Sequence, residues 1–361
     1  MKLLLNGATA DTNFGDFLFA KMFQEQLSQN VGEDNVFWYS SRFAMSNFFA
    51  DHLDNHNKCK LKDIDALIYI SGGYFCGNDH TWRDYVLRYL RYFSIGMKCI
   101  IKRIPYAIIG LEVGKSHNAL MRFVQKKILK KAKIIVVRNK ESFQCVKSYG
   151  IDNVICTADT AFAINRDLFS NKPISSEIAD CNKKILLFHI FNTVGRNKQL
   201  TEKVVPILNR FLEVHQEYAV VLTTDQYISG QELALDDMAK RLKCKTIIKN
   251  FYEDPIALCK VIDRADVVVT PKLHVGIIGA RLGKSVVSFC EHSEKVLRLY
   301  SQLDESGRSA PLADLDEEKG LEMLEKYHTI PINVPNDIAE KAKTNFEHLN
   351  AFLECIERKR D

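Results

Sequence analysis

The sequence has no apolar run long enough to cross a bilayer. Its most apolar stretch, Cys99 to Val113, is interrupted by Lys102, Arg103 and Glu112, whereas a spanning helix needs roughly 18 uninterrupted apolar residues. Met1-Lys2-Leu3-Leu4-Leu5 opens like a secretory leader, but Asn6 and Gly7 end the run at once, so a cytoplasmic location is expected. No Cys-x-x-Cys pair occurs among the ten cysteines, which leaves structural zinc and dithiol redox chemistry without ligands at the right spacing. Reduced and mostly buried thiols are expected, and no metal. No Gly-x-Gly-x-x-Gly fingerprint precedes a helix, which disfavours a nicotinamide cofactor. With 8 Pro and 17 Gly, and no internal repeat, collagen-like and low-complexity readings are also excluded.

What remains is a chain of 361 residues, 46% hydrophobic and 26% charged, long enough for two domains. Short β-branched runs alternate with helical patterns, first at Lys2–Asn6, Ala66–Ile70, Tyr106–Ile109 and Ile134–Val137. The pattern then repeats at Ile185–Ile190, Ala219–Leu222, Val267–Thr270 and Val286–Phe289. This is βα alternation in two sets, an α/β protein of two Rossmann-like domains. Between them Asn165 to Lys184 reads as a linker, so we expect domains over 1–168 and 183–330. A final amphipathic helix, about Asn336 to Arg358, carries Ile338, Ala342, Phe346, Leu349, Phe352, Leu353 and Ile356 on one stripe. It is expected to return, over 336–359, to the first domain. Charge is uneven: Arg83 to Lys147 holds sixteen Lys or Arg against three acids, while residues 171 to 361 hold 27 against 29. The first half therefore presents a basic surface to an anionic partner.

In open α/β sheets ligands sit beyond the carboxyl ends of the strands, and there the chemistry-bearing residues gather. After the first strand, Asn13-Phe14-Gly15-Asp16 leads into a helix expected over Phe17 to Leu27; Asn13 and Asp16 could hold or deprotonate sugar hydroxyls. Taken alone, Asp16 reads as an N-cap before a base. Ser71-Gly72-Gly73 follows the next strand as a glycine loop open to a ligand. Arg138 leaves a buried strand with Asn139, Lys140, Glu141 and Ser142 behind it, either to fork a carboxylate or phosphate or to pair with Glu141. In the second set Val267–Thr270 delivers Pro271-Lys272-Leu273-His274 to the first turn of a small-residue helix, where the dipole and Lys272 favour an anion and His274 could pass a proton. Lys295, near the start of the next helix, could add a second cation or be merely solvated.

In this order and spacing, Asn-x-Gly-Asp, the strand-end glycines, Arg138 with Ser142, Asp159-x-Ala161, and Lys272-Leu273-His274 with Ile278, Ala280, Gly283 and Lys295 resemble the polysaccharide pyruvyl transferase family over about residues 10 to 300. The resemblance implies a glycosyltransferase B type fold, with two Rossmann-like domains facing across a cleft. It also implies transfer of pyruvate from phosphoenolpyruvate to a hexose, as a cyclic ketal, during assembly of surface polysaccharide. Two positions depart from the family pattern: Lys272 stands for its Arg, and Tyr74 for its third glycine. Ketal formation protonates the methylene carbon of the donor, joins two hydroxyls to the adjoining carbon and expels phosphate, so it needs an acid and cationic anchors but no cofactor beyond the donor itself. The expected roles are therefore His274 and Asp16 in catalysis, Arg138, Lys272 and Lys295 on the donor, and Asn13, Gly72 and Gly73 on the acceptor.

Two competing readings share this layout. One is a nucleotide-sugar-dependent glycosyltransferase, the other a sugar-binding protein without turnover. The segment Trp82 to Phe93 interleaves aromatics with arginines. It suits either an anionic membrane surface, where lipid-linked acceptors reside, or a face of half-buried tyrosines with solvated arginines. Nucleic acid is not an expected partner, because no recognised binding module accompanies the charge.

Overall fold

The computed structural model describes residues 1–9, 13–39, 59–76, 81–191, 194–225, 231–291 and 293–358. The chain divides into two units, Met1–Ala163 with Asn336–Asp361, and Ile164–Pro335.

The first unit holds seven parallel strands: β1 (Leu3–Asn6), β2 (Val36–Trp38), β3 (Ala66–Tyr69), β4 (Gly72–Phe75), β5 (Tyr106–Val113), β6 (Ile134–Val137) and β7 (Val154–Cys156). Their order is β2-β1-β3-β5-β6-β7, with β4 beside β5. Strands β1, β3 and β5 are buried along their whole length, which is why they read as continuous apolar runs rather than alternating ones. Gly110, at φ +67°, lies where the β5 register shifts between Ile108 and Leu111. Beyond it, Leu111 and Val113 take Gly72 and Phe75 as neighbours. The expected glycine loop is thus strand β4, which pairs with β5 from Leu111 onward, after the last β3 partner at Ile108.

The second unit holds β8 (Lys184–His189), β9 (Tyr218–Thr224), β10 (Thr246–Asn250), β11 (Val267–Thr270), β12 (Ser285–Cys290) and β13 (Ser309–Pro311), all parallel, in the order β10-β9-β8-β11-β12-β13. A core built on Leu186, Phe188, Leu208, Phe211, Val220, Leu222, Val269 and Val287 fills one face of this sheet.

The expected linker is instead part of the second unit. Its turns Arg166–Leu168 and Ser176–Ala179 are anchored by buried Phe169 and Ile178 and by ion pairs of Arg166 with Asp263 (3.0 Å) and Lys172 with Asp254 (2.8 Å). Isolated anchors leave no periodic pattern, so the segment reads as unstructured. The last helix, Asn336–Glu357, packs on the first unit. Asn345 accepts a hydrogen bond from Thr157 Oγ1 (2.8 Å) and donates to the Ala158 carbonyl (3.1 Å), and Phe346 meets Phe23 with ring centroids 5.2 Å apart. All ten cysteines are free thiols; five are buried, three half-buried, and Cys156 and Cys355 exposed.

Candidate functional site

A ligand crevice in such sheets opens where the strand order reverses, beyond the carboxyl ends of the two strands concerned. In the first unit that point lies between β1 and β3; in the second it lies between β8 and β11.

In the second unit, β11 ends at Thr270, and the helix Leu273–Arg281 begins three residues later. Lys272 is the residue before the helix, its backbone N–H donating to Thr270 Oγ1 (3.1 Å), and His274 sits half-buried in the first turn. The small residues of this helix let it lie close to the sheet. A Cβ on Gly279 would stand 2.9 Å from Val286 Cγ2, and one on Gly276 would stand 2.8 Å from the Tyr300 hydroxyl. Lys295 is half-buried in the first turn of Ser293–Gln302, after β12.

Lys272 Nζ reaches Asp225 Oδ1 at 2.8 Å, and His189 Nε2 reaches the same oxygen at 3.0 Å. His189 is the last residue of β8 and Asp225 the first after β9, and both side chains are wholly buried. Burial would raise the Asp225 carboxyl, but the Lys272 ammonium and the His189 hydrogen bond outweigh it and hold the group well below the usual carboxylate range. His189 is lowered, first by burial and against the pull of Asp225. It is therefore neutral at pH 7, with Nε2–H donating to Asp225, while its buried Nδ1 has no hydrogen-bond partner among the described residues. Together these groups fix an ammonium at a helix N-terminus.

Sequence reading missed His189 and Asp225. The signal was present for Asp225, which leaves a buried strand at its carboxyl end as Arg138 does. His189 lies inside the strand, and only the strand order brings it to Asp225.

In the first unit the helix after β1 spans Phe14–Val31, earlier than expected, and its cap is Asn13, whose Oδ1 accepts from Gly15 N–H at 3.1 Å. Asp16 lies in the first turn rather than at the cap. A Cβ on Gly72, at φ +152°, would stand 3.5 Å from Asp16 Oδ1 and 2.9 Å from the Tyr74 ring, so glycine is required there. Gly73 is half-buried in β4. The Tyr74 hydroxyl shares its proton between the carbonyls of Ile70 (2.6 Å) and Asn6 (3.1 Å), and its ring stacks on Tyr92 at 4.5 Å. The residue in place of the family's third glycine thus lines the reversal point between β1 and β3. Residues 10–12 of the same loop lie outside the described residues.

Arg138 is engaged on both sides of its fork, by Asp159 Oδ2 at 2.8 Å and by Glu112, with the side chain almost fully buried. Burial opposes its charge, but Asp159 and Glu112 more than offset this and raise its pKa. The expected alternative partner, Glu141, is not the one found in these ion pairs. Asn139 caps Lys140–Ser148 through Ser142 N–H (2.8 Å), and Ser142 Oγ accepts from Val113 N–H (2.9 Å). The Arg138–Ser142 motif thus ties β5 to β6 and Asp159.

Fold and site together define an α/β protein of glycosyltransferase B type with a cationic, histidine-bearing strand-end site. Over residues 13–293 the chain matches the model of the polysaccharide pyruvyl transferases, and it belongs to that family. No curated protein matches the chain. Among solved structures it is similar to UDP-GlcNAc 2-epimerase from Neisseria meningitidis bound to UDP-GlcNAc, at 14% identity and TM-score 0.60 over 97% of this chain and 100% of the other. It is also similar to S. aureus MnaA with UDP, at 12% identity and TM-score 0.65 over 98% and 97% of the two chains. The Methanocaldococcus jannaschii UDP-GlcNAc 2-epimerase aligns at 12% identity and TM-score 0.63 over 98% and 99%. At such identities the likeness is one of fold.

Proposed function

We propose that this transferase moves pyruvate from phosphoenolpyruvate onto a hexose of a surface-polysaccharide precursor as a cyclic ketal, releasing phosphate. The observation that carries the reading is the Lys272 ammonium, fixed 2.8 Å from buried Asp225 at the start of the helix that bears His274. Lys272, Lys295 and the helix N-terminus supply positive charge for the donor's carboxylate and phosphate. Lys keeps the charge of the family's Arg but offers a point rather than a fork, and Asp225 compensates by fixing where that point lies.

His274 gives a proton to the methylene carbon of the donor. The first acceptor hydroxyl bonds to the adjoining carbon as Asp16 takes its proton. The C–O bond to phosphate then breaks, the second hydroxyl bonds to the same carbon, and its proton replaces the one His274 gave. The proton taken by Asp16 leaves on the phosphate. Asn13, Gly72 and Gly73 line the acceptor side. Arg138 is assigned to positioning, because Glu112 and Asp159 occupy its fork.

The acceptor is proposed to be lipid-linked and met at an anionic membrane surface. Of the eight exposed large hydrophobic side chains among the described residues, five (Trp82, Val86, Ile101, Leu120 and Phe123) fall in or beside the basic segment, and apolar plus cationic exposure is what an anionic bilayer attracts. Tyr85, Tyr89 and Tyr92 pack against the core instead.

Thermal denaturation with candidate donors tests the donor class. Phosphoenolpyruvate is expected to raise the melting temperature of the wild type and not of Lys272→Ala. A response confined to nucleotide sugars would replace this reading with a glycosyltransferase.

A further inference from the structure

At the opposite end of the second unit's sheet, His215, Glu325 and His328 each offer one ligand atom, all within 4.8 Å of one another. Two helix ends deliver them. His215 follows the helix Val194–Val214, Glu325 lies in the last turn of Glu317–Tyr327, and His328 is the residue after that helix. His215 precedes β9 and Asp225 follows it. At roughly 3.3 Å per residue, the seven residues of β9 place the cluster roughly 20 Å from the Lys272 site, outside the proposed reaction.

His215 Nε2 lies 2.9 Å from Glu325 Oε2, while its Nδ1 faces Glu217 Oε1 at 3.4 Å. The Tyr218 hydroxyl lies 3.2 Å from His328 Nδ1. Each imidazole therefore has an outer polar partner, the arrangement that orients histidines as metal ligands. The two rings, with centroids 4.5 Å apart, are also held by Phe211, which stacks on His215 at 4.3 Å and meets His328 edge-on at 5.2 Å. Glu325 is 42% exposed and His215 17%, so an ion can enter from solvent.

We propose that His215, Glu325 and His328 form a binding site for a divalent cation of the zinc class, which clamps the end of Val194–Val214 and the start of β9 to the end of Glu317–Tyr327. Two imidazole nitrogens and one carboxylate oxygen suit zinc, with water as a fourth ligand. The role is structural: loading stiffens the second unit and leaves donor binding unchanged.

The test uses the whole chain, stripped with chelator and titrated with Zn²⁺ alone. Bound metal is measured after dialysis and the melting temperature recorded with and without Zn²⁺. The wild type is expected to retain one equivalent and melt higher when loaded. His328→Ala is expected to lose that equivalent, and Glu325→Gln to bind more than tenfold more weakly. Glu325→Gln changes a half-exposed carboxylate to its isostere, and its melting without metal reports directly whether the fold is kept. Failure of the wild type to retain Zn²⁺, or retention by both variants equal to the wild type, as thiol-bound metal would give, overturns the proposal. Neither outcome bears on pyruvyl transfer.

Discussion

Asp225 and Arg138 do similar work in the two units, each holding an opposite charge in place within a buried network. Removing the Arg138 side chain leaves Glu112 and Asp159 buried without their cation, an effect on the order of 3–5 kcal/mol. Arg138→Ala is therefore expected to unfold at markedly lower urea concentration. Unchanged urea unfolding, with phosphoenolpyruvate binding lost, would instead return Arg138 to the donor set. Asp225→Asn is expected to lower stability and weaken phosphoenolpyruvate binding together, because Lys272 loses its anchor.

The pH dependence follows from the same groups. His189 is lowered in the fold, so the unfolded chain binds protons more readily. Its contribution to stability is full above the ordinary histidine pKa of about 6.5 and is lost as pH falls through the lowered native value. Asp225, also lowered, loses its contribution further down, as pH falls below the ordinary aspartate range. Both act in one direction, so urea midpoints should fall on acidification below about pH 6.5, and His189→Asn should flatten the upper part of that fall. An identical profile in His189→Asn would contradict the assignment of a neutral, buried His189.

At the scale of elements, the helix Leu273–Arg281 owes its placement to glycine. Gly279→Val puts branched carbon where a Cβ alone would already stand 2.9 Å from Val286, so the helix must lift from the sheet and carry Lys272 and His274 with it. Overpacking of this kind costs about 1–3 kcal/mol; turnover should fall further than stability alone accounts for. Full turnover in a folded Gly279→Val protein would mean that the helix start does not position the reacting groups. Central elements were legible because burial on both faces makes them continuous: Ile134–Val137 and Val267–Thr270 match their expected spans residue for residue. The strands that escaped notice include all four sheet edges, β2, β7, β10 and β13. β2 (Val-Phe-Trp) and β7 (Val-Ile-Cys) are apolar but only three residues long, whereas β10 carries Lys249 and Asn250 and β13 carries Pro311, so none offers an apolar run of full strand length. Part of the candidate site was legible by the same rule. Lys272 and His274 stand after a central strand, whereas the meeting of His189, Asp225 and Lys272 depends on which strands are neighbours, which local pattern does not encode.

For the whole molecule, the excess of sixteen basic residues over three acids between Arg83 and Lys147, with Trp82, Ile101, Leu120 and Phe123 exposed, predicts binding to vesicles containing anionic lipid and release by salt. Trp82→Ala with Phe123→Ala should weaken co-sedimentation; equal binding to neutral vesicles, or none at low salt, would remove the membrane from the account. The likeness to epimerase structures is one of fold, and the proposed donor rests on the chemistry assigned to Lys272 and His274. The most direct measurement is therefore phosphate released from phosphoenolpyruvate against ketal formed on a hexose acceptor, for the wild type and for His274→Ala. One phosphate per ketal is expected from the wild type and no turnover from the folded variant. Undiminished turnover in His274→Ala, or release of a nucleotide diphosphate from a nucleotide sugar with none of phosphate from phosphoenolpyruvate, would contradict it.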